Sequence, residues 1–314
     1  MNYMLSHSLH KSFKFISKKG NIVMLSFLFF SFCNSSNLLA QDDLLSQLED
    51  KPKKEYVKNA FKSSRVINGQ SMEFIAHGVL DFRILHRFGS VRGGAYELFG
   101  LDQASMRLGF DYGVTKNLTL GFGRSTFNKE YDFLAKYRPM WQSKGLHARP
   151  FSLVLITGMT INSVKWADKT RKNYFTSRLG YYFQMIIGRK FSERFTLQIM
   201  PTMVHRNIVA LSSDHNDIYS IGLGTRVKFT KRMALVFEYF YVINGRPKSL
   251  VYNPIAIGLD IETGGHVFQL HFSNSRGMNE KAFITETTNN PFKGNISLGF
   301  NLSRVFTVHN PKRF

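Results

Sequence analysis

Charged side chains of opposite sign lie close together in the first third of the chain, where they could bind or select a solute. Asp81 and Arg83 fall on the polar face of one alternating segment, and Arg107 and Asp111 fall on that of the next. One interpretation is a charged constriction that selects a small solute. The other is a salt-bridge network that holds the strands rigid, because buried charges need partners. We favour the network and keep all four as candidate binding residues.

Three further basic residues extend this set. Arg226 and Lys228 occupy the polar face of a later alternating segment, and Arg124 follows a Gly-Phe-Gly run. Cationic side chains that share one side of several strands attract anionic solutes. We therefore predict that these three residues also belong to a basic binding surface.

A histidine and a serine near the end of the chain raise the question of catalysis. His271 and Ser273 are two apart on a predicted strand, so a base and a nucleophile share one face. The run His271-Phe272-Ser273-Asn274 resembles a stretch of outer-membrane phospholipase A, which works from its lipid-facing side. Here Leu270 and Phe272 take the apolar side, which turns the pair away from lipid. We predict that the protein is not an enzyme and keep a hydrolase as a minor alternative.

No pattern in the chain indicates a metal or a cofactor. The histidines, including His77, His86 and His205, lack metal-ligand spacing. Two Gly-x-Gly pairs precede strand patterns instead of a helix, so no helix terminus is available for a phosphate. Cys33 is the only cysteine and lies in a predicted export signal, so the exported chain contains no disulfide. We predict no metal and no cofactor.

The elements that must position these residues are β-strands. Within 218–241, apolar residues such as Leu223 and Phe237 alternate with small or polar ones such as Gly222, Gly224 and Arg226. A period of two is the strand period. A tilted strand of about 11 residues crosses a bilayer, and an apolar face opposite a polar one is typical of a membrane barrel. A soluble β-sandwich also alternates, but the 30 Phe and 13 Tyr, many near segment ends, favour the barrel.

About twelve such segments follow one another without a change in composition that would mark a second domain. They are predicted at 73–88, 104–114, 117–127, 129–141, 150–161, 175–190, 194–205, 217–229, 232–243, 253–262, 265–274 and 294–306. Short turns follow most even-numbered segments and long polar connections follow most odd-numbered ones. A short connection near 127–129 and a longer one near 142–149 depart from this pattern. In outer-membrane barrels the periplasmic turns are short and the external loops long. The sequence therefore predicts an all-β, antiparallel transmembrane barrel of about 12 strands.

The N-terminus has the features of an export signal. Four lysines precede an apolar run from Ile22 to Phe32, and Ala40 stands before a polar start. This pattern is typical of a cleaved signal peptide, with cleavage expected after Ala40. The predicted organisation is a signal peptide over 1–40, a charged periplasmic lead over 41–64 that is a short helix or disordered, and the barrel over 65–314.

The charge of the chain limits its partners. The net charge is +21, and residues 1–40 carry four Lys and no Arg, Asp or Glu, which leaves +17 for the exported chain. A basic balance indicates nucleic acid in a cytosolic protein, but an exported chain does not meet any. The expected partners are outer-membrane lipids and a small anionic solute, with no nucleic acid.

Several motifs between residues 65 and 143 resemble a known family. They include the runs 65–69 (Arg-Val-Ile-Asn-Gly), 81–89, 99–103, 111–113 and 121–125. Together these are similar to a Bacteroidota outer-membrane β-barrel family of unknown function, closely over 65–143 and more loosely through 274–306. The resemblance implies an outer-membrane barrel after a signal peptide. It implies no activity and no catalytic residues.

The leading functional hypothesis is a narrow pore, or a solute-binding and transport barrel, with a basic lumen that includes His271. Twelve strands enclose only a small interior, and either 89–103 or 275–293 is long enough to fold in and close it. The alternative is a non-conducting structural or interaction barrel whose basic rim engages lipid phosphates or a surface partner.

Overall fold

The computed structural model describes residues 53–170, 172–209, 211–245, 250–264 and 266–309. The predicted signal peptide and residues 41–52 of the lead lie outside the described residues. Within the described part, no helix has the length and apolar character needed to cross a membrane. One short α-helix, α1 (Glu280–Thr285), lies in a connection between strands.

The described residues contain fourteen strands, of which twelve close into an antiparallel barrel. The predicted fold class is confirmed. Two short strands, Glu55–Tyr56 and Ser143–Lys144, form a separate ribbon. The last strand of the chain pairs with the first barrel strand and closes the barrel. The strands are β1 (Glu55–Tyr56), β2 (Val79–Ser90), β3 (Ala104–Thr115), β4 (Leu118–Ser125), β5 (Glu130–Met140), β6 (Ser143–Lys144), β7 (Ser152–Asn162), β8 (Leu179–Lys190), β9 (Phe195–Arg206), β10 (Asp217–Lys228), β11 (Met233–Val242), β12 (Ile255–Thr263), β13 (His266–Ser273) and β14 (Ser297–Thr307).

Alternation along each strand separates the two faces of the barrel wall. In the β10–β11 pair, Leu223 lies opposite Tyr239 and Gly224 lies opposite Glu238. Leu223 is exposed on the outer face, whereas Gly224 and Glu238 are buried inside. The same period of two holds along the other barrel strands, so the apolar outer face and the inner face follow from the sequence pattern.

The two ends of the barrel differ in the length of their connections. One end, called the turn end, carries short turns at 116–117, 191–194 and 229–232 and both ends of the barrel chain. The other, called the loop end, carries long connections at 91–103, 163–178, 207–216, 243–254 and 274–296. Two connections depart from this rule: 126–129 is short at the loop end, and 141–151 is long at the turn end because it contains β6.

The first barrel strand begins later than the sequence predicts, at Val79 instead of residue 73. The chain before it lies inside the barrel and turns into the wall at Gly78, whose φ is +74°. A Cβ at Gly78 would lie 2.0 Å from the carbonyl oxygen of His309, so only glycine fits there. Within the predicted lead, Glu55–Tyr56 forms a short strand.

One half of the barrel interior is apolar. Inward side chains of β7 to β11 form a buried hydrophobic cluster with residues from the segment before β2 and from α1. This packing explains why 150–161 and 182–187 are apolar on both faces. The cluster includes Phe61, Val66, Ile67, Met72, Val154, Ile156, Tyr182, Ile186, Met200, Val204, Ile218, Val236, Phe240, Phe283 and Ile284.

Candidate functional site

Two parts of the chain enter the lumen from opposite ends. From the turn end comes the inner segment, defined as residues 60–75, which precedes β2. From the loop end comes the inward loop, defined as residues 275–287, which contains α1. Ile67 and Asn68 of the inner segment and Phe283 of the inward loop are each 0% exposed. The lumen is therefore filled by the protein itself.

The inner segment is a small hairpin. The Val66 amide donates to the Gly69 carbonyl at 2.9 Å, and the Ser71 amide donates to the Ser64 carbonyl at 2.9 Å. An isolated β-bridge joins Arg65 and Gln70 between these bonds. The turn therefore consists of Ile67 and Asn68, which lie between the paired residues Val66 and Gly69. Its tip lies deep in the barrel.

Glu238 of β11 binds the tip of this hairpin. Its carboxylate accepts hydrogen bonds from three successive amides: Ile67 at 3.2 Å, Asn68 at 3.1 Å and Gly69 at 2.9 Å. Glu238 is 1% exposed. Charge-assisted hydrogen bonds of this kind are stronger than neutral ones, so Glu238 is a main anchor of the inner segment.

Other wall side chains bind the backbone of the inner segment in the same way. The Gln198 amide accepts from the Met72 N–H at 2.9 Å and donates to the Gln70 carbonyl at 2.8 Å. Gln269 donates to the Val66 carbonyl at 2.7 Å, and Asn301 donates to the Ile67 carbonyl at 3.0 Å. Further donors are Thr196, to the Ala60 carbonyl at 2.9 Å, and Lys136, to the Glu73 carbonyl at 2.7 Å. The wall thus holds the inner segment much as a receptor holds a peptide.

The four charged residues of β2 and β3 lie on the inner face and are paired. The Arg83 guanidinium contacts Asp81, with Nε to Oδ2 at 2.8 Å, and lies 3.6 Å from the Asp111 carboxylate. It also donates to the Ser64 hydroxyl of the inner segment at 2.6 Å. Arg107 does not join this group, because its Nε donates to Asp132 of β5 at 2.9 Å. These contacts favour the network interpretation over a constriction with free charges.

Arg226 and His271 also face inward, and Lys228 lies near the turn end. Arg226 is buried, with its Nε 3.9 Å from the Asp260 carboxylate. Lys228 is half-buried, and its amide donates to the Arg194 carbonyl at 2.7 Å. Neither ring nitrogen of His271 has a hydrogen-bond partner within the described residues.

The prediction for Arg124 is wrong. Its neighbours Gly123 and Ser125 are buried on the inner face, so Arg124 shares the outer face with the exposed Phe122. There its guanidinium lies 5.4 Å from the ring centre of Tyr131 in the adjacent strand. The alternation itself excluded a lumen position, because Arg124 has the parity of the apolar face.

The buried charges on the inner face carry both signs. Among the described barrel strands, seven cations and six anions are buried, so the buried charges of the wall nearly balance. Buried charges need partners of opposite sign, which explains the near balance. The cations are Arg83, Arg87, Arg107, Lys136, Arg138, Arg206 and Arg226, and the anions are Asp81, Asp111, Glu130, Asp132, Glu238 and Asp260.

The inward loop closes the lumen at the loop end. Lys281 donates to the Glu130 carboxylate at 2.8 Å, and the Phe283 and Phe240 rings lie 4.9 Å apart. Burial lowers the pKa of Lys281, but the carboxylates of Glu286 and Glu130 outweigh this effect and raise it above its ordinary value. Glu280 of α1 reaches Arg65 of the inner segment at 3.4 Å. Of the two connections expected to fold inward, residues 275–287 of the second do so, whereas the first remains exposed, with Tyr96 96% accessible.

A small cavity lies between the polar wall and the inner segment. A cavity of about 20 Å³ lies among Arg65, Val66, Arg83, Gln269 and Asn301. That volume accommodates roughly one water molecule. In the described part of the chain, no group of three or more His, Cys, Asp or Glu side chains is placed to hold a metal ion.

Four residues that hold the inner segment were not predicted from the sequence: Glu238, Gln198, Gln269 and Asn301. A signal for them exists. Each is a large polar residue on the inner face of a strand whose outer face is apolar. Such a residue needs a hydrogen-bond partner inside the barrel. What the pattern does not show is that the partner is the backbone of this same chain.

Comparisons with known proteins agree with a membrane barrel. A family model described as a membrane bound beta barrel domain (DUF5777) matches residues 61–306. No curated protein matches the chain.

Solved structures with similar folds include three channel proteins. The chain is similar to the NanC porin (8% identity, 72% of this chain and 98% of that one, TM-score 0.43). It is also similar to the KdgM porin (9% identity, 73% and 99%, TM-score 0.44). The third is the CymD monoaromatic hydrocarbon channel (10% identity, 79% and 97%, TM-score 0.40).

Proposed function

Since the chain belongs to the DUF5777 family of membrane-bound β-barrel domains, we propose that it is an outer-membrane barrel whose lumen is closed to solutes. The observation that carries this proposal is the filled lumen, in which the inner segment and the inward loop leave a cavity of about 20 Å³ among the polar residues. An open channel requires a continuous water-filled path, and the packing of these two segments inside the barrel supports a lumen without one.

The proposal includes the location and orientation of the protein. Residues 1–40 contain a basic region, then an apolar run, then the small residue Ala40. This order of features supports export with cleavage after Ala40. Short turns lie on the periplasmic side of outer-membrane barrels, so the turn end faces the periplasm and the loop end the exterior. The source implied by the resemblance is a Gram-negative bacterium of the Bacteroidota.

The interior packing supports a structural or interaction role over conduction. Half of the lumen is an apolar cluster in which Phe61 and Met72 of the inner segment contact the wall. The other half is a paired polar network. Removing the inner segment would expose both halves to water, so opening would cost the free energy of that burial.

Planar-bilayer recording tests the closed barrel. We expect the exported chain, residues 41–314, to insert without producing discrete channel steps at either polarity. Insertion is verified by the change in electrophoretic mobility between heated and unheated samples. Channel steps from the pure wild-type protein would contradict the proposal.

A second candidate function is gated passage of a small, anionic solute. It is favoured by the way the inner segment is held, because side chains of the wall bind its backbone, as they would bind a removable peptide. Under this hypothesis a Glu238→Gln variant produces channel steps that the wild type lacks. Silence of both proteins would favour the permanently closed barrel.

We further propose that the protein is not a hydrolase. The Ser273 hydroxyl accepts from the Ser275 amide at 3.1 Å, and His271 has no hydrogen-bond partner among the described residues. A base and its nucleophile need a mutual hydrogen bond or a short approach to it. Esterase activity in the purified wild type that is lost in His271→Ala would overturn this proposal.

A further inference from the structure

A second concave site lies at the turn end, apart from the filled lumen. It is a cavity of about 340 Å³. Its walls come from the chain before the inner segment, the β3–β4 turn, the end of β5 and the connection that contains β6. The aromatic and basic residues that line it are Tyr56, Lys58, Lys116, Arg138, Trp141 and Arg149.

Arg138 is the buried base of this site. It is 3% exposed, and its guanidinium lies between two rings, 4.2 Å from the centre of Phe74 and 3.5 Å from that of Trp141. Its Nη2 donates to the Lys116 carbonyl at 2.9 Å. Its Nε is buried without a hydrogen-bond partner among the described residues. The Glu73 carboxylate also attracts the Arg138 guanidinium, and the unused Nε can donate to one further acceptor.

The rim of the cavity is basic. Lys58, Lys116 and Arg149 are exposed around the opening, and none of the residues that line the cavity is acidic. Exposed cations continue around the turn end at Lys144, Arg194, Lys231 and Arg232. Together these charges favour a ligand with a negative charge.

The cavity lies at the edge of the membrane-facing surface. Tyr137 and Pro139, at the end of β5, are exposed on the outer face. Trp141 follows them, and its Nε1 donates to the Val57 carbonyl at 2.7 Å while its ring lies 4.9 Å from that of Tyr56. Trp and Tyr with one apolar and one polar side are typical of the membrane interface.

We propose that this cavity binds the phosphate group of an anionic phospholipid headgroup. A phosphate oxygen supplies the acceptor that the Arg138 Nε lacks, in a charge-assisted hydrogen bond. The exposed cations add the attraction that basic residues exert on anionic lipids near a membrane surface. The proposal depends only on the turn end lying at a membrane boundary and is independent of whether the lumen conducts.

Native mass spectrometry of the exported chain tests the site. Phosphatidylglycerol and phosphatidylcholine with identical acyl chains are offered in equal amounts. We expect a preference of about 10-fold for phosphatidylglycerol, because each nearby basic residue contributes a several-fold gain. A Lys116→Gln/Arg149→Gln variant should lose this preference. The matched control, Lys165→Gln/Lys169→Gln, removes two exposed cations at the loop end and should keep it.

A second pair of substitutions and a soluble phosphate ligand complete the test. Lys58→Gln/Arg149→Gln repeats the test with a different pair, and the electrophoretic mobility of unheated samples verifies folding of each variant. Free glycerol phosphate should bind at least about 10-fold more weakly than the lipid, because it lacks the acyl chains that would contact the apolar outer face. Equal binding of the two lipids, a preference retained by the folded cavity variants, or glycerol phosphate binding as tightly as the lipid would each overturn the proposal.

Discussion

Replacing Glu238 with Gln is expected to release the tip of the inner segment. The carboxylate accepts from three successive backbone amides, and all of these atoms are buried. All three hydrogen bonds end on Oε2, where a glutamine oxygen could still accept, but that oxygen carries no charge and the amide nitrogen beside it only donates. Hydrogen bonds to a charged acceptor contribute about 1.5–3 kcal/mol each. We therefore expect the bound position of the inner segment to lose about 3 kcal/mol.

Limited proteolysis measures this release. The segment and the residues before it contain trypsin sites at Lys58, Lys62 and Arg65. A loss of about 3 kcal/mol corresponds to cleavage about 100-fold faster when cleavage follows local opening. Glu193→Gln, at an exposed turn residue, is the matched control and should be cleaved like the wild type. Equal cleavage of Glu238→Gln and the wild type would show that Glu238 does not hold the segment.

Removing Arg107 is expected to have the largest effect on the stability of the barrel wall. Arg107 and Asp132 are 0% and 1% exposed in their side chains and form a pair across β3, β4 and β5. Replacing one partner leaves the other as an uncompensated buried charge, which costs about 3–5 kcal/mol. We expect Arg107→Met to lower the free energy of unfolding by that amount, measured by urea unfolding in detergent micelles.

Two variants separate lost pairing from lost volume. Arg124→Met removes an arginine from the outer face of the next strand and should change the free energy of unfolding by less than about 1 kcal/mol. The double variant Arg107→Met/Asp132→Leu removes both charges and should recover most of the loss. If the double variant is as unstable as Arg107→Met, packing around the side chains, not the ion pair, is responsible.

The barrel could be predicted because membrane strands carry their signal locally. Each strand needs only its own alternation, as in 218–241, and the tight turns mark where one strand ends and the next begins. Boundaries agree with the structure within a few residues for most strands. The exception is β2, where the prediction included residues 73–78. The hairpin of the inner segment is itself extended, so its local pattern does not differ from that of a wall strand.

The contents of the lumen could not be predicted because they depend on contacts far apart in the chain. Glu238 meets the Asn68 amide across 170 residues, and Lys281 meets Glu130 across 151. A polar residue on an inner face has the same pattern whether it faces water or a buried backbone. Arg124 is different. Its position in the alternation of β4 is that of the apolar residues, so the sequence alone was enough to place its side chain on the outer face.

A disulfide across the lumen tests most directly whether the inner segment occupies the barrel. A Cβ at Gly188 of β8 would lie 3.3 Å from the Cβ of Met72, near the separation found in disulfides. The expected exported chain has no other cysteine, so the thiols of Met72→Cys/Gly188→Cys are the only pair. We predict near-complete cross-linking in the folded, membrane-inserted protein and none in the Met72→Cys/Ile187→Cys control, because residue 187 faces outward. Two free, alkylatable thiols in the folded Met72→Cys/Gly188→Cys protein would contradict the closed lumen.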